Sequence, residues 1–372
     1  MSGMTYAGSG VDYGSMDPFK RACQLAGRET AEAIRSMGIQ EEEWSRGESV
    51  YLQRWGDRFI AHVEEGLGSK NLVADAMYAL TGKSYYDQTA QCNVAMVVND
   101  LITCGALPTS FALHLAVGAS DWFQDEKRYQ DLIKGTAHAC RLAGCAWGGG
   151  ETSTLKGIIC PDTALLSGSA VGFVWSDSVG YPTDLIRADK IEVGDVIILL
   201  LSSGIHANGL TLARQITDKL PEGYLSPMPD GRCYGEALLD PTTIYVDMIR
   251  ACQKAKINLH YAVNITGHGW RKLMRAPQIF AYMIEQIPEP QPVFQFIQEH
   301  GQVEDSEMYG NYNMGAGFAL YVAEKDEPAV SGIARLNDYQ VIYAGHIEDC
   351  GEKLVSIQPK NLLYKADTLA VR

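Results

Sequence analysis

The chain has 372 residues, of which 46% are hydrophobic and 20% charged, a composition that suits two or three folded domains and excludes a disordered or low-complexity chain. Lys and Arg total 31 against 45 Asp and Glu, a formal charge of −14, which disfavours nucleic acid or an anionic membrane as partner while permitting a locally positive pocket for a small anion. No apolar run approaches the ~18 residues of a membrane span. The opening MSGMTYAGSG lacks the basic-then-apolar pattern of a leader, and nine dispersed cysteines without a C-x-x-C pair read as reduced thiols of a cytoplasmic protein.

In chain order, Asp17 and Pro18 predict a helix start, with Asp as N-cap and Pro in the first turn. Phe19, Cys23, Ala26, Ala33, Ile34 and Met37 follow near helical spacing. Residues 50–55 and 58–63 read as strands joined by a two-residue turn at Gly56-Asp57. Helix is expected over 89–104, strand over 111–117, helix over 131–143 and strand over 164–175. A composition shift at 176–190 sets the expected boundary between units 1–182 and 183–372. Beyond it come a strand at 196–201, helices from Leu210 and from Pro241, and a strand near 318–322. Alternating strands and helices in both halves predict two α/β domains.

Several motifs carry possible chemistry. In HVEEGLGSK, a strand ends in carboxylates, a glycine loop follows (Gly66, Gly68), and Lys70 comes next. Glu65 is a hard oxygen donor for magnesium and Lys70 a cation for a phosphate, although the spacing is not that of a P-loop. In VVNDL, Asn99 and Asp100 interrupt an apolar helix, where a carboxylate needs a partner or a metal. GGGETSTLKG offers an anion-binding turn at Gly149, Gly150 and Thr152, with Glu151 as a metal ligand. SSGIHANG places Ser203, His206 and Asn208 beyond the carboxyl end of a buried strand, where open α/β sheets bind ligands. For each the structural alternative is a polar turn, a solvated helix face or a structural histidine.

Taken in order, GVD (10–12), NDLITCGALP (99–108), GGGETSTLKG (148–157), GDVIILLLSSGIHANGLTLAR (194–214), LLDPTTIYV (238–246), NITGHG (264–269) and EMYGNYNMGAG (307–317) resemble the phosphoribosylformylglycinamidine cyclo-ligase family, also called aminoimidazole ribonucleotide synthetases. The resemblance implies an N-terminal α/β domain for ATP binding and dimerisation and a C-terminal α/β domain, with the N-terminal sheets pairing into a barrel across a homodimer. It implies ATP and magnesium as cofactors and a small ribonucleotide as substrate, formylglycinamidine ribonucleotide, whose ring closes after its amide oxygen is phosphorylated. On that basis Lys70 and His206 are the expected catalytic residues. Gly66, Gly68, Lys70, Asn99, Gly149, Gly150, Thr152, Ser203 and Asn208 are expected at the nucleotide, and Glu65, Asp100 and Glu151 at the metal. The chain departs from the family pattern where Glu65 and Cys92 stand for aspartates, Leu113 stands for an acid, and His268 stands where glycine is common. Two alternatives therefore stay open: another ATP-dependent enzyme of the superfamily acting on a different amide or acid, and a non-catalytic nucleotide-binding paralogue.

Overall fold

Along Arg58–Gly66 the buried Phe59, Ala61 and Val63 alternate with more exposed neighbours, the pattern of a strand with one face on a core. The computed structural model describes residues 3–175 and 184–370 and builds this strand into the first of two sheets. The first half runs α1 (Tyr13–Glu29), β1 (Ile39–Glu41), β2 (Tyr51–Trp55), β3 (Arg58–Gly66), α2 (Lys70–Thr81), α3 (Tyr86–Leu101), β4 (Leu107–Val117), α4 (Glu126–Ala143), β5 (Ala146–Thr154) and β6 (Ala164–Trp175). Its six strands lie in the order β1-β2-β3-β6-β4-β5, antiparallel except for β4 and β5. The β2–β3 hairpin turns at Gly56, as the sequence predicts, with Trp55 opposite Arg58. Helix α3 packs on β3 and β6 with α4 against it, and nearly all of its side chains are buried. The other sheet face, with His62 and Glu64, is open in the single chain.

The second half runs β7 (Val196–Leu201), α5 (Leu210–Ile216), α6 (Tyr234–Leu238), α7 (Val246–Lys254), β8 (Tyr261–Asn264), β9 (Ala281–Ile284), α8 (Pro292–Gly301), α9 (Asp305–Asn311), β10 (Ala316–Val322), α10 (Glu327–Leu336), β11 (Val341–Glu348), β12 (Leu354–Ile357) and β13 (Leu362–Lys365). The strand order is β13-β12-β9-β11-β7-β10-β8. The uniformly apolar β7 lies between β11 and β10, buried on both faces, which is why its sequence does not alternate.

The expected boundary at 182 lies outside the described residues. Residues 4–29 belong spatially with the second half: Met4 N–H donates to Gly301 O and Tyr6 N–H to a Glu307 carboxylate oxygen. Three local expectations are corrected. Asp12, not Asp17, caps α1, because its side chain accepts from Gly14 N–H; Pro18 then falls inside the helix. The helix expected from Pro241 starts at Val246, because the backbone before it is tied to α3 instead. The glycines at 148–150 form no loop but lie in edge strand β5, where a Cβ on Gly150 would sit 2.3 Å from Leu113 O.

Candidate functional site

Strand β3, helix α3, the turn after β8 and the short helical stretch Gly269–Met274 converge on one cavity of about 360 Å³. Its walls carry Glu65, Asp100, Asn208, Thr266, Lys272 and Arg275. Alternation along β3 sends Glu65 to the helix-covered side. Asn99 and Asp100, adjacent on α3, point about 100° apart, so Asp100 reaches the cavity while Asn99 does not. Asn264, at the end of β8, donates from Nδ2 to Asp100 Oδ1 at 2.7 Å. Lys272 extends a buried amino group to Asn264 O at 3.4 Å and to Thr266 Oγ1.

This cavity concentrates charge in a desolvated place. Burial and the adjacent Asp100 carboxylate push the Glu65 carboxyl up to about 7, and the Lys272 and Arg275 cations oppose the rise. Burial lowers Lys272 to about 8, against the pull of Asp100 and Glu65. Two carboxyls close enough to share a hydrogen bond, with a neutral amide (Asn208) nearby and two cations behind, can hold a hard divalent ion with a polyphosphate. Sequence reading misses Lys272 and Arg275. Their signal is the basic run Arg271-Lys272-x-x-Arg275 directly after the ITGHG turn.

Lys70 and His206 are brought together, but in another place and for another purpose. Lys70 opens α2 and is fully buried, and its Nζ donates to His206 O at 2.8 Å and Asp240 O at 2.6 Å. These contacts join the two halves and leave the amino group turned away from the cavity, so the expected reach to a phosphate is not the arrangement found. His206 has a φ of 59° and accepts at Nε2 from Ser203 N–H at 3.3 Å. Burial and Lys70 depress it to about 3, so the ring is neutral. β10 passes close beside it only because residue 317 is glycine: a Cβ there would lie 2.6 Å from His206 Cε1. Ser203 Oγ donates to Pro241 O at 2.6 Å.

The same seam takes up Asn99 and Cys92. Asn99 donates to Thr243 O at 2.8 Å and accepts from Tyr245 N–H at 2.9 Å. Cys92 Sγ accepts from Thr242 N–H at 3.2 Å. Both side chains pair with the extended stretch before α7, so the Asn99 amide is engaged as an interdomain tie.

Gly66 ends β3, and Gly68, at φ 75°, turns the chain into α2 beside Ala207 O. The second glycine cluster is not at the cavity. Gly150 and Glu151 lie with Glu64 and His114 on the open sheet face, and Gly149 and Thr152 run along the same exposed strand. In the single chain Glu151 is therefore parted from Glu65 and Asp100 by the sheet itself. Among the described residues no group of three or more His, Cys, Asp or Glu forms a ready-made metal cluster.

Comparison with known proteins follows this geometry. Residues 59–174 match the family described as AIR synthase related protein, N-terminal domain, and residues 192–357 match its C-terminal domain. The phosphoribosylformylglycinamidine cyclo-ligase of Methanosarcina acetivorans is 34% identical over 87% of this chain and 90% of its own length. The protein of that name from Methanothermobacter thermautotrophicus is 37% identical over 75% and 78%. That of Methanococcus maripaludis strain C6 is 31% identical over 94% and 93%. Among solved structures, a HypE–HypF complex superposes with a TM-score of 0.61 at 14% identity, covering 91% of this chain and 99% of that one. AaThiL complexed with AMPPCP and TMP gives 0.57 at 14% identity, covering 86% and 91%. At these identities the structural likeness establishes the fold.

Proposed function

Because the chain belongs to the phosphoribosylformylglycinamidine cyclo-ligase family, we propose that it closes the imidazole ring of aminoimidazole ribonucleotide from formylglycinamidine ribonucleotide in purine biosynthesis, converting ATP to ADP and phosphate. The observation that carries the assignment to a place is the Glu65–Asp100 pair facing Lys272 and Arg275 in one cavity.

The residues fit magnesium. Burial and the neighbouring Asp100 keep Glu65 partly protonated near neutral pH, and a divalent cation would stabilise the charged form. Glu65 and Asp100 hold the ion, with Asn208 as a neutral oxygen donor. When bound, magnesium neutralises charge on the ATP phosphates. Lys272 presents its positive charge to phosphate oxygens, and Arg275, whose guanidinium donates to Gly47 O and Ser49 Oγ beside Glu48, adds its field from behind. The γ-phosphoryl group passes to the substrate's amide oxygen, making it a good leaving group. A nitrogen of the same molecule attacks that carbon, phosphate departs and the ring closes. Both steps depend mainly on positioning, which suits a site made of fixed charges and backbone turns.

Lys70, His206, Asn99 and Ser203 serve as positioning residues that hold the two halves in register around this cavity. The open face of the first sheet, with His62 and Glu64 exposed and Leu165 exposed at 41%, supports a homodimer in which a second copy covers it. Nine free cysteines favour a reducing, cytoplasmic setting.

The test is direct. Purified protein is incubated with ATP, magnesium and formylglycinamidine ribonucleotide, and aminoimidazole ribonucleotide and phosphate are counted. The expected result is equimolar formation of the two. Phosphate release without the imidazole product would point to another substrate, and neither product would refute the assignment.

A further inference from the structure

Helix α1 is an amphipathic helix lying the wrong way round. Its inward positions are Tyr13, Asp17, Lys20 and Gln24, at spacings of four, three and four, and Asp17 is the one buried residue it has. An apolar stripe of Met16, Phe19 and Cys23 faces solvent, with Met16 42% and Phe19 71% exposed, and Leu25, 63% exposed, lies on another side of the helix. A surface helix normally takes its position from an apolar face laid on the core. This one is held by polar contacts instead.

The buried contact is to His268. His268 Nε2 meets Asp17 Oδ2 at 3.1 Å, with both side chains about 5% exposed. The imidazole stacks on the Tyr13 ring at 3.7 Å between centroids. The His268 backbone N–H donates to Tyr13 OH at 3.1 Å. His268 does this from φ 67°, a left-handed conformation that histidine adopts at a cost and glycine does not. Other ties of α1 include Tyr13 against the Tyr6 ring at 5.8 Å and under Arg271 at 5.7 Å, Arg21 to Ala370 O, Arg46 to Gln24 O at 3.4 Å, and the exposed pair Arg28–Glu43 at 3.1 Å.

The place of this contact gives it a role. Tyr13, Lys20 and Gln24 form one wall of the carboxylate cavity. Tyr13 also lines a second cavity of about 340 Å³, bounded by Tyr6, Arg271, Glu307 and Tyr364. Tyr13 therefore stands between the two spaces, and His268, which lines the first, is stacked on it.

We propose that Asp17, His268 and Tyr13 form a latch holding α1 as a movable wall of the catalytic cavity, and that release of this latch joins the two cavities to admit the ribonucleotide. In naming that ligand the inference rests on the cyclo-ligase reading; the latch itself does not. His268 and Asp17 are positioning residues, and His268 occupies a site where glycine would leave the wall unlatched.

The test is hydrogen exchange on the full-length protein without substrate, comparing the parent with His268→Gly and Asp17→Ala. His268→Gly removes the ring and relieves the positive φ, so folding is retained. Amide exchange across 13–29 should quicken about tenfold or more in both variants, while β3, α3 and β7 exchange as before. In steady-state assays the Michaelis constant for the ribonucleotide should fall about fivefold, because the latched state no longer competes with the open one that admits it, with turnover changed by less than about twofold. Unchanged exchange of α1 in both variants would overturn the latch. So would a parent α1 protected as strongly as α3, or acceleration spread evenly over both sheets. The exchange measurement stands whether or not the protein makes aminoimidazole ribonucleotide, so failure of one reading is distinguishable from failure of the other.

Discussion

The carboxylate cavity and the Lys70–His206 seam look alike in sequence, since each sets polar residues beside glycine turns next to a buried strand or helix. They differ in where the polar atoms go. At the seam, Lys70, Asn99, Ser203 and Cys92 all pair with main-chain groups of residues 206 and 240–245, so their polarity is consumed in joining two halves. In the cavity, Glu65 lies beside Asp100, and burial first and that carboxylate second push it up to about 7 despite Lys272 and Arg275. A buried polar group with partners inside the protein is architecture. One whose charge is left uncompensated is a place for a ligand.

This contrast can be tested by mutation. The largest effect is expected from Lys70→Ala, which strands two carbonyls at the seam. Losing both partners should cost about 2–5 kcal/mol of stability in urea unfolding, with activity per folded molecule nearly retained. Full stability with lost turnover would move Lys70 from architecture to catalysis.

Asp100→Asn keeps an acceptor for Asn264 but removes the charge. Turnover should fall about 100-fold or more, with the unfolding midpoint at or above that of the parent.

Glu65→Gln separates stability from function. The folded Glu65 carboxyl is raised from 4.5 to about 7. The parent thus has its full relative stability below pH 4.5 and loses stability as pH rises through 7. Glutamine has no charge to bury. The variant should therefore gain on the parent between pH 5 and 8, by on the order of 1 kcal/mol, while losing magnesium-dependent turnover. Thermal unfolding at several pH values measures this, and a stability difference independent of pH would contradict the charged-pair account.

The smallest effect is expected from His206→Asn. Asparagine tolerates the positive φ, and the histidine, held near 3, carries no proton to lose between pH 5 and 8. Turnover should stay within about threefold of the parent and the pH–rate profile should keep its shape. Disappearance of a limb of that profile would restore His206 as an acid or base.

Much of the architecture was legible because burial prints a period on the sequence. The strands at 164–175 and 196–201 have the bounds expected of them, and the hairpin at Gly56 is where the turn residues put it. Asp100 stood out because a carboxylate inside an apolar helix is costly and needs explaining, and Glu65 because a strand ends in carboxylates just before a glycine loop. The glycines at 148–150 misled as a turn because Gly-Gly-Gly marks both a phosphate loop and a strand whose backbone must pass close to a neighbour, and Gly150 is the latter. Lys70 misled because a lysine after a glycine turn looks free until the partner half supplies two carbonyls from more than 130 residues away. Lys272 and Arg275 come to the cavity by the same long-range closure: the basic run after the ITGHG turn is visible in the sequence, but what it faces is not.

The most direct test of the central claim is a calorimetric titration of magnesium with a non-hydrolysable ATP analogue into the parent protein and into Asp100→Asn. Binding of one equivalent per chain in the parent, weakened about 100-fold or more in the variant while the fold is retained, is the predicted result. Equal affinity in the two proteins would show that the Glu65–Asp100 cavity is not where the metal–nucleotide sits.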